Sequence, residues 1–325
     1  MSIFDPTSLV TRRRALLTGA GLTGGLLAAS LGRRVAFAQD EDGDSDDAAI
    51  AESIQDDIEN IIEAEGSVSD GVFAIEIDRD DITSTTLHGV PIKPAFQING
   101  DLNFQPYGDK QVIMNSDLCL KAKELDAFIH ELISHDIVFQ AEHQHLYDLA
   151  PIVWFIHFRA VGDPIKIAKG IKAALNVTST PFPQTSPSNP TTPLPADEIG
   201  KILGAKPTIG ADGVVTYQIP RKERITLGGL PINPYLNVSA PVAFQPYGGG
   251  QNAAAVPDFG MLASEINPVV GLMQKQGWDI GCLYNQETDE KPQLYFSHQF
   301  KTGDSIQLAK EIRNGFNLTN SRFQS

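Results

Sequence analysis

Hydrophobic and polar positions follow the same itinerary twice along this chain. An amphipathic segment at about Ile54 to Ala64 predicts a leading helix, and Ala196 to Leu203 predicts its counterpart. Short β-rich runs follow, around Val72, Ala74 and Ile75 to Ile77 in the first case and Val214 to Ile219 in the second. Turn signals come next, at Gly89-Val90-Pro91-Ile92 and Gly229-Leu230-Pro231-Ile232. After a strand at Val112 to Met114, the positions Leu125, Phe128, Ile129, Leu132 and Ile133 recur with helical spacing, as Ile266, Val269, Val270 and Met273 do later. Two further strands and a last helix close each unit. Asp163 and Asp304 stand where N-caps belong, with Pro164 at the favoured first helical position.

The periodicity reflects a true internal repeat. Gly162 to Thr178 recurs as Gly303 to Thr319 with eight of the seventeen positions identical, and FQPYG occurs at Phe104 to Gly108 and at Phe244 to Gly248. Strands gathered before one helix and paired between two helices predict an α+β fold with a largely antiparallel sheet in each copy, the two copies packed as a pseudo-dimer. The repeats span about residues 48–177 and 196–319. Between them, residues 178–195 are rich in Pro, Ser and Thr and read as a semi-extended, solvated linker.

The N-terminus has a different character. Arg12-Arg13-Arg14 precedes a Gly- and Ala-rich apolar stretch that ends in Ala36-Phe37-Ala38, the pattern of a twin-arginine export signal over residues 1–38. Its glycines, and Arg33-Arg34 before a spanning length is reached, argue against a stable membrane anchor. The expected location is therefore periplasmic or extracellular. Loss of this segment, with its five arginines and Asp5, would take the net charge from −15 to −19. Such acidity opposes nucleic-acid binding, which needs basic patches. Residues 39–47 begin an acidic, solvated arm. Cys119 and Cys282 stand at non-equivalent positions, which leaves both an interdomain disulfide and two buried free thiols open.

The candidate chemistry centres on histidine. His143 and His145 alternate along a predicted strand and so project from one face, and a hairpin return over Ile152 to Phe158 would bring His157 opposite them. Three neutral imidazoles suit zinc, copper, nickel or iron, and three protein ligands with an open position is the catalytic arrangement for zinc. In the second copy only His298 remains; sharing its strand face with Leu294, Phe296 and Phe300, it reads as a structural core histidine. Asp117 and its equivalent Asp258, between strand and helix, either cap a helix or supply a carboxylate to the site; capping is the ordinary reading. Gln105 and Gln245 are pocket amides or turn-packing residues, and Arg159 ends the polar side of the His157 strand. No G-x-S-x-G elbow, HExxH or P-loop is present.

Taken together, Gly71-Val72, Arg79, Gly89 to Ile92, Phe104 to Gly108, Asp117, His143-Gln144-His145, His157 and Gly162-Asp163-Pro164 resemble the LppY/LpqO domain of exported bacterial proteins, a family of unknown function. Leu230 to Ile232, Phe244 to Gly248, Asp258, Glu265 to Pro268, His298 and Gly303-Asp304 carry the same resemblance in the second copy. Arg159 and Val161 replace later histidines of the pattern, and Tyr284 and Gln286 replace its first pair in the second copy. The resemblance implies a metal site reduced to His143, His145 and His157 and lost from the second copy. Three readings stay open: an exported protein binding a metal or small polar ligand through these histidines with Gln105, Asp117 and Arg159, a metal-dependent enzyme with Asp117 or Asp148 as general base, and a structural envelope protein with core histidines.

Overall fold

The computed structural model describes residues 50–108 and 110–324, so the expected export signal and acidic arm lie outside the described residues. Among the described residues no helix is long and apolar enough to cross a membrane. The first repeat runs α1 (Glu52–Ile62), β1 (Ser67–Ser69), β2 (Val72–Asp78), β3 (Asn99–Tyr107), β4 (Gln111–Leu120), α2 (Leu125–Ser134), β5 (Val138–His143), β6 (Trp154–Gly162) and α3 (Pro164–Leu175). Its strands form one antiparallel sheet in the order β1-β2-β3-β4-β6-β5. The second repeat repeats this with α4 (Ala196–Leu203), β7 (Thr208–Ile209), β8 (Val215–Ile219), β9 (Ala240–Pro246), β10 (Asn252–Met261), α5 (Ile266–Lys275), β11 (Asp279–Ile280), β12 (Tyr295–Asp304) and α6 (Ser305–Phe316). The sheet order is β11-β12-β10-β9-β8-β7. The expected α+β class and its antiparallel sheets are thus observed.

Strand alternation decides what each face meets. On β2, Phe73, Ile75 and Ile77 join Leu102, Phe104, Met114, Ile156 and Phe158 in a core closed by the helices. The equivalent core of the second repeat is built on Tyr217, Phe244, Phe259 and Phe316. Asp163 and Asp304 cap the last helices as expected, accepting from Lys166 N at 2.8 Å and Gln307 N at 2.9 Å. In both repeats a buried arginine anchors the strand end to the following helix. Arg79 bonds Asp81, Glu124 and the carbonyl of Cys119; Arg221 bonds Glu223, Glu265 and the carbonyl of Gly260.

The opposite faces of the two sheets meet each other. The turn of each repeat lies over the sheet of the other: Ile82, Leu87, Val90 and Ile92 pack with Ala254 and Val256, while Ile225, Leu227 and Ile232 pack with Val72 and Ile113. The two FQPYG segments, read from sequence as turns or pocket amides, are strand residues that clasp the partner repeat. Gln105 Oε1 accepts from Asn233 N at 2.6 Å, and Gln245 Oε1 accepts from Lys93 N at 2.9 Å while its Nε2 donates to Pro91 O. The linker is less solvated than its composition predicts. Ser179 hydrogen-bonds Glu124 and Asp81, Gln184 exchanges bonds with the Asp78 main chain, and Phe182 and Leu194 pack onto the two cores.

Candidate functional site between the repeats

The polar stretch of the sheet-to-sheet contact begins with register. Glu76 lies opposite Asp101, Asp101 opposite Asp117, and Asp117 opposite His157, so one transverse row crosses β2, β3, β4 and β6. In the second sheet the corresponding pair is Asp258 and His298. These residues line a cavity of about 290 Å³ between the sheets. Asp117 and Asp258 are therefore mid-strand cavity residues, and the capping expectation is corrected; the extended strand simply continues through them to Leu120 and Met261.

His143, His145 and His157 do converge, with one nitrogen from each lying within 4.8 Å of the others. The route differs from the sequence expectation in two respects. Gln140 bulges out of β5, so that Ala141 pairs with His157 and His143 with Phe155. His145 lies beyond the end of β5, and its ring is fixed by stacking between Phe155 at 3.3 Å and His298 at 3.6 Å between centroids. His143 stacks on Tyr284 at 3.6 Å and is 5.0 Å from His157 by ring centroids. A site expected within one repeat is thus closed by side chains of the other. The close approach also needs Gly281, since a Cβ there would lie 2.5 Å from His145 O.

Hydrogen bonding leaves this cluster unfinished. Both nitrogens of His143, both of His157 and Nε2 of His145 are buried without a partner. Buried polar atoms are normally paired, and each orphan costs about 1–3 kcal/mol. Burial pushes His157 and His298 down to about 3, and burial with neighbouring imidazoles holds His143 and His145 well below the usual range. The rings are neutral, as metal ligands must be. A point within about 2.8 Å of all three nitrogens exists for any triangle of this size, so sub-ångström ring shifts reach the roughly 2.0–2.1 Å of a zinc–nitrogen bond.

Carboxylates respond in the opposite direction. Burial raises Asp101 and Asp117 to about 7, helped by the charges of Asp117 and Asp258 respectively, and raises Asp258 to about 8. Glu76 keeps access to solvent through the cavity, yet its enclosing walls and Asp101 push it to about 7. The Oδ1 of Asp258 is buried with no hydrogen-bond donor.

The other sequence candidates are elsewhere. Gln105 does not line the cavity, and its oxygen is engaged by Asn233 in the inter-repeat clasp. Arg159 is two register pairs from His157, opposite Asn115, with Nη2 3.7 Å from Asp289 and Nε unpartnered. Asp148 is exposed and bonded to His88 at 3.2 Å, which removes it as a general base for this cluster. His298, read as an isolated core histidine, faces the same cavity, with Nδ1 3.6 Å from Asp258 and 3.5 Å from Cys282 Sγ. Both cysteines are free, and burial pushes both thiols well up. Sequence reasoning missed Glu76, Asp101 and the contribution of Tyr284. Alternating polar positions at Glu76 and Asp78, and at Asn99, Asp101 and Asn103, carried the signal for a polar inner sheet face.

The chain belongs to the family described as Domain of Unknown Function (DUF1259), whose model matches residues 56–177 and again residues 197–318. The two matches coincide with the two sheets and their helices. Neither curated proteins nor solved structures give a match.

Proposed function

We infer that this protein, a two-repeat member of the LppY/LpqO type exported by the twin-arginine route, binds one transition-metal ion through His143, His145 and His157. One observation carries the reading: five nitrogens of three neighbouring, neutral imidazoles are buried without any hydrogen-bond partner. A purely structural role would leave that cost unrecovered, whereas a metal ion would use one lone pair from each ring. Zinc, copper, nickel and iron all accept such a donor set. When bound, the ion would act as a Lewis acid or hold an exchangeable polar ligand.

The chain's own residues define the rest. His145 and His157 line the cavity, so a ligand could approach the ion from that side, while Tyr284 covers His143. Asp117, cross-strand from His157, is the nearest carboxylate by register to the cluster and the residue placed to hold a proton beside it. Binding is the primary reading, and catalysis would add turnover at the same place. Titration of chelator-treated protein with zinc tests this: saturation at one equivalent is expected, with loss of that site in the His143→Ala, His145→Ala variant. Absence of saturable binding by a folded wild type would overturn it.

A further inference from the structure

Beyond the imidazoles, the cavity has an acidic half that metal binding does not use. Glu76, Asp101 and Asp117 stand side by side on successive strands, and Asp258 faces the cavity from the second sheet. Among the described residues lining the cavity there is no lysine or arginine. Asp258, 4% exposed, leaves Oδ1 without a hydrogen-bond donor, with His298 Nδ1 3.6 Å away, whereas Glu124, equally enclosed, is bonded by Arg79. An enclosed space of this size holding several carboxylates and no cation has an unmet requirement for positive charge.

The shape of the charge selects the kind of cation. Neighbouring strands are about 4.8 Å apart, so Glu76 and Asp117 are separated by roughly 10 Å, with Asp101 between them. Among the described residues the only convergent ligand group is the histidine cluster, which means that the carboxylates do not gather around a point. A single ion would satisfy one end of the row. A chain with a positive group at each end would satisfy both, its methylenes lying against Ala74 and Ala243 of the cavity wall. The row also has a direction. Glu76 is solvent-exposed, Asp101 and Asp117 are partly buried, and His157 is 2% exposed. Ser67, Ser69 and Asp70 at the β1 edge are exposed and line the same cavity, which marks the entrance at that end.

We propose that the inter-repeat cavity binds a short linear diamine, its ammonium groups held by the Glu76–Asp101–Asp117 row and Asp258, with the inner end directed at the histidine cluster. Asn99, which donates to Glu76 Oε1 at 2.7 Å, fixes the outer carboxylate. This goes beyond the metal reading and shares only Asp117 with it, resting otherwise on Glu76, Asp101 and Asp258.

Calorimetric titration of the full chain in excess chelator at pH 8, with 1,4-diaminobutane and 1,5-diaminopentane as probes, tests it. Saturable one-to-one binding is expected for a diamine. Glu76→Gln and Asp101→Asn should each weaken it by about tenfold or more, the usual value of a charge-assisted hydrogen bond. Glu76 is at the solvent-exposed mouth, so its variant keeps the fold if Asp101→Asn does not. No binding of either diamine, equal binding of the uncharged 1,4-butanediol, or unchanged affinity in a folded Glu76→Gln variant would overturn the proposal. Because chelator is present throughout, failure here leaves the zinc titration standing, and failure of the zinc titration leaves this one standing.

Discussion

His143 and Tyr284 occupy equivalent positions in the two repeats and stack on each other with ring centroids 3.6 Å apart. His143 ends the edge strand β5 and Tyr284 follows the edge strand β11, and each pairs with a phenylalanine of the next strand, His143 with Phe155 and Tyr284 with Phe296. The contact therefore marks where the pseudo-symmetric halves meet. One half supplies an imidazole of the histidine cluster there, and the other supplies an aromatic cover. Tyr284→Ala should remove that cover and open a cavity, costing about 3–5 kcal/mol in the manner of other aromatic truncations. Tyr284→Phe should stay within about 1 kcal/mol of wild type, because stacking is retained. Urea denaturation of both variants measures the difference.

The reciprocal glutamines predict an asymmetry in stability. Gln245 is 2% exposed and makes two bonds to the opposite repeat, whereas Gln105 makes one. Loss of each leaves main-chain groups unpaired, at about 1–3 kcal/mol apiece. Gln245→Ala should therefore destabilise more than Gln105→Ala, and the double variant should be near the sum if the clasps act independently. Equal effects in chemical denaturation would count against the clasp geometry.

Close approach at the site depends on one missing side chain. A Cβ on Gly281 would meet His145 O at 2.5 Å and Leu146 Cδ2 at 2.9 Å. Because a backbone atom is among the neighbours, the repeats must separate to admit it. Gly281→Ala should lower stability by about 1–3 kcal/mol, the usual cost of overpacking, and weaken metal binding with it. A thermal melt alongside zinc titration reads both effects.

The pH dependence has two limbs with different owners. His157 and His298 have folded values near 3 against an unfolded value of about 6.5, so their contribution is present above about 6.5 and lost as pH falls toward 3. Asp81, Glu124 and Glu223 are lowered despite partial burial, by bonds to Arg79 or Ser179 and to Arg221, and their contribution is lost as pH falls through the carboxylate range. Asp101, Asp117 and Asp258 are raised to about 7, 7 and 8, so the stability they confer when protonated is full below about pH 4, their unfolded range, and is lost as pH rises from there through those values. Above about pH 6.5 the histidine contribution is complete and only the carboxylate loss remains, so metal-free protein should melt at progressively lower temperatures from about pH 6.5 to about pH 8. Asp258→Asn should flatten the alkaline limb, as a series of melts would reveal.

Much of the architecture is legible in sequence because repetition amplifies local signals. Asp163 and Asp304 cap equivalent helices, and the spacing of Leu125, Phe128 and Leu132 marks a helix in both pattern and structure. The three clustered histidines are legible too, since His143 and His157 sit on adjacent strands. What sequence did not convey is how the repeats face one another. Alternation places Glu76, Asp101 and Asp117 on one sheet face, but only register puts them in a single row, and only sheet packing turns that row into a cavity wall. His298 and Tyr284 likewise gain their role from the opposite repeat, so a comparison of positions within each copy assigns the second repeat no site. Asp117 reads as a cap in sequence because β4 continues farther than its hydrophobic pattern indicates.

The central claim is that the buried imidazoles hold a metal ion, and elemental analysis of the purified protein tests it most directly. One equivalent of a transition metal per chain is predicted for the wild type and for Gln105→Ala, with none in a folded His143→Ala, His157→Ala variant. A metal-free wild type that also fails to take up zinc, copper, nickel or iron would contradict it.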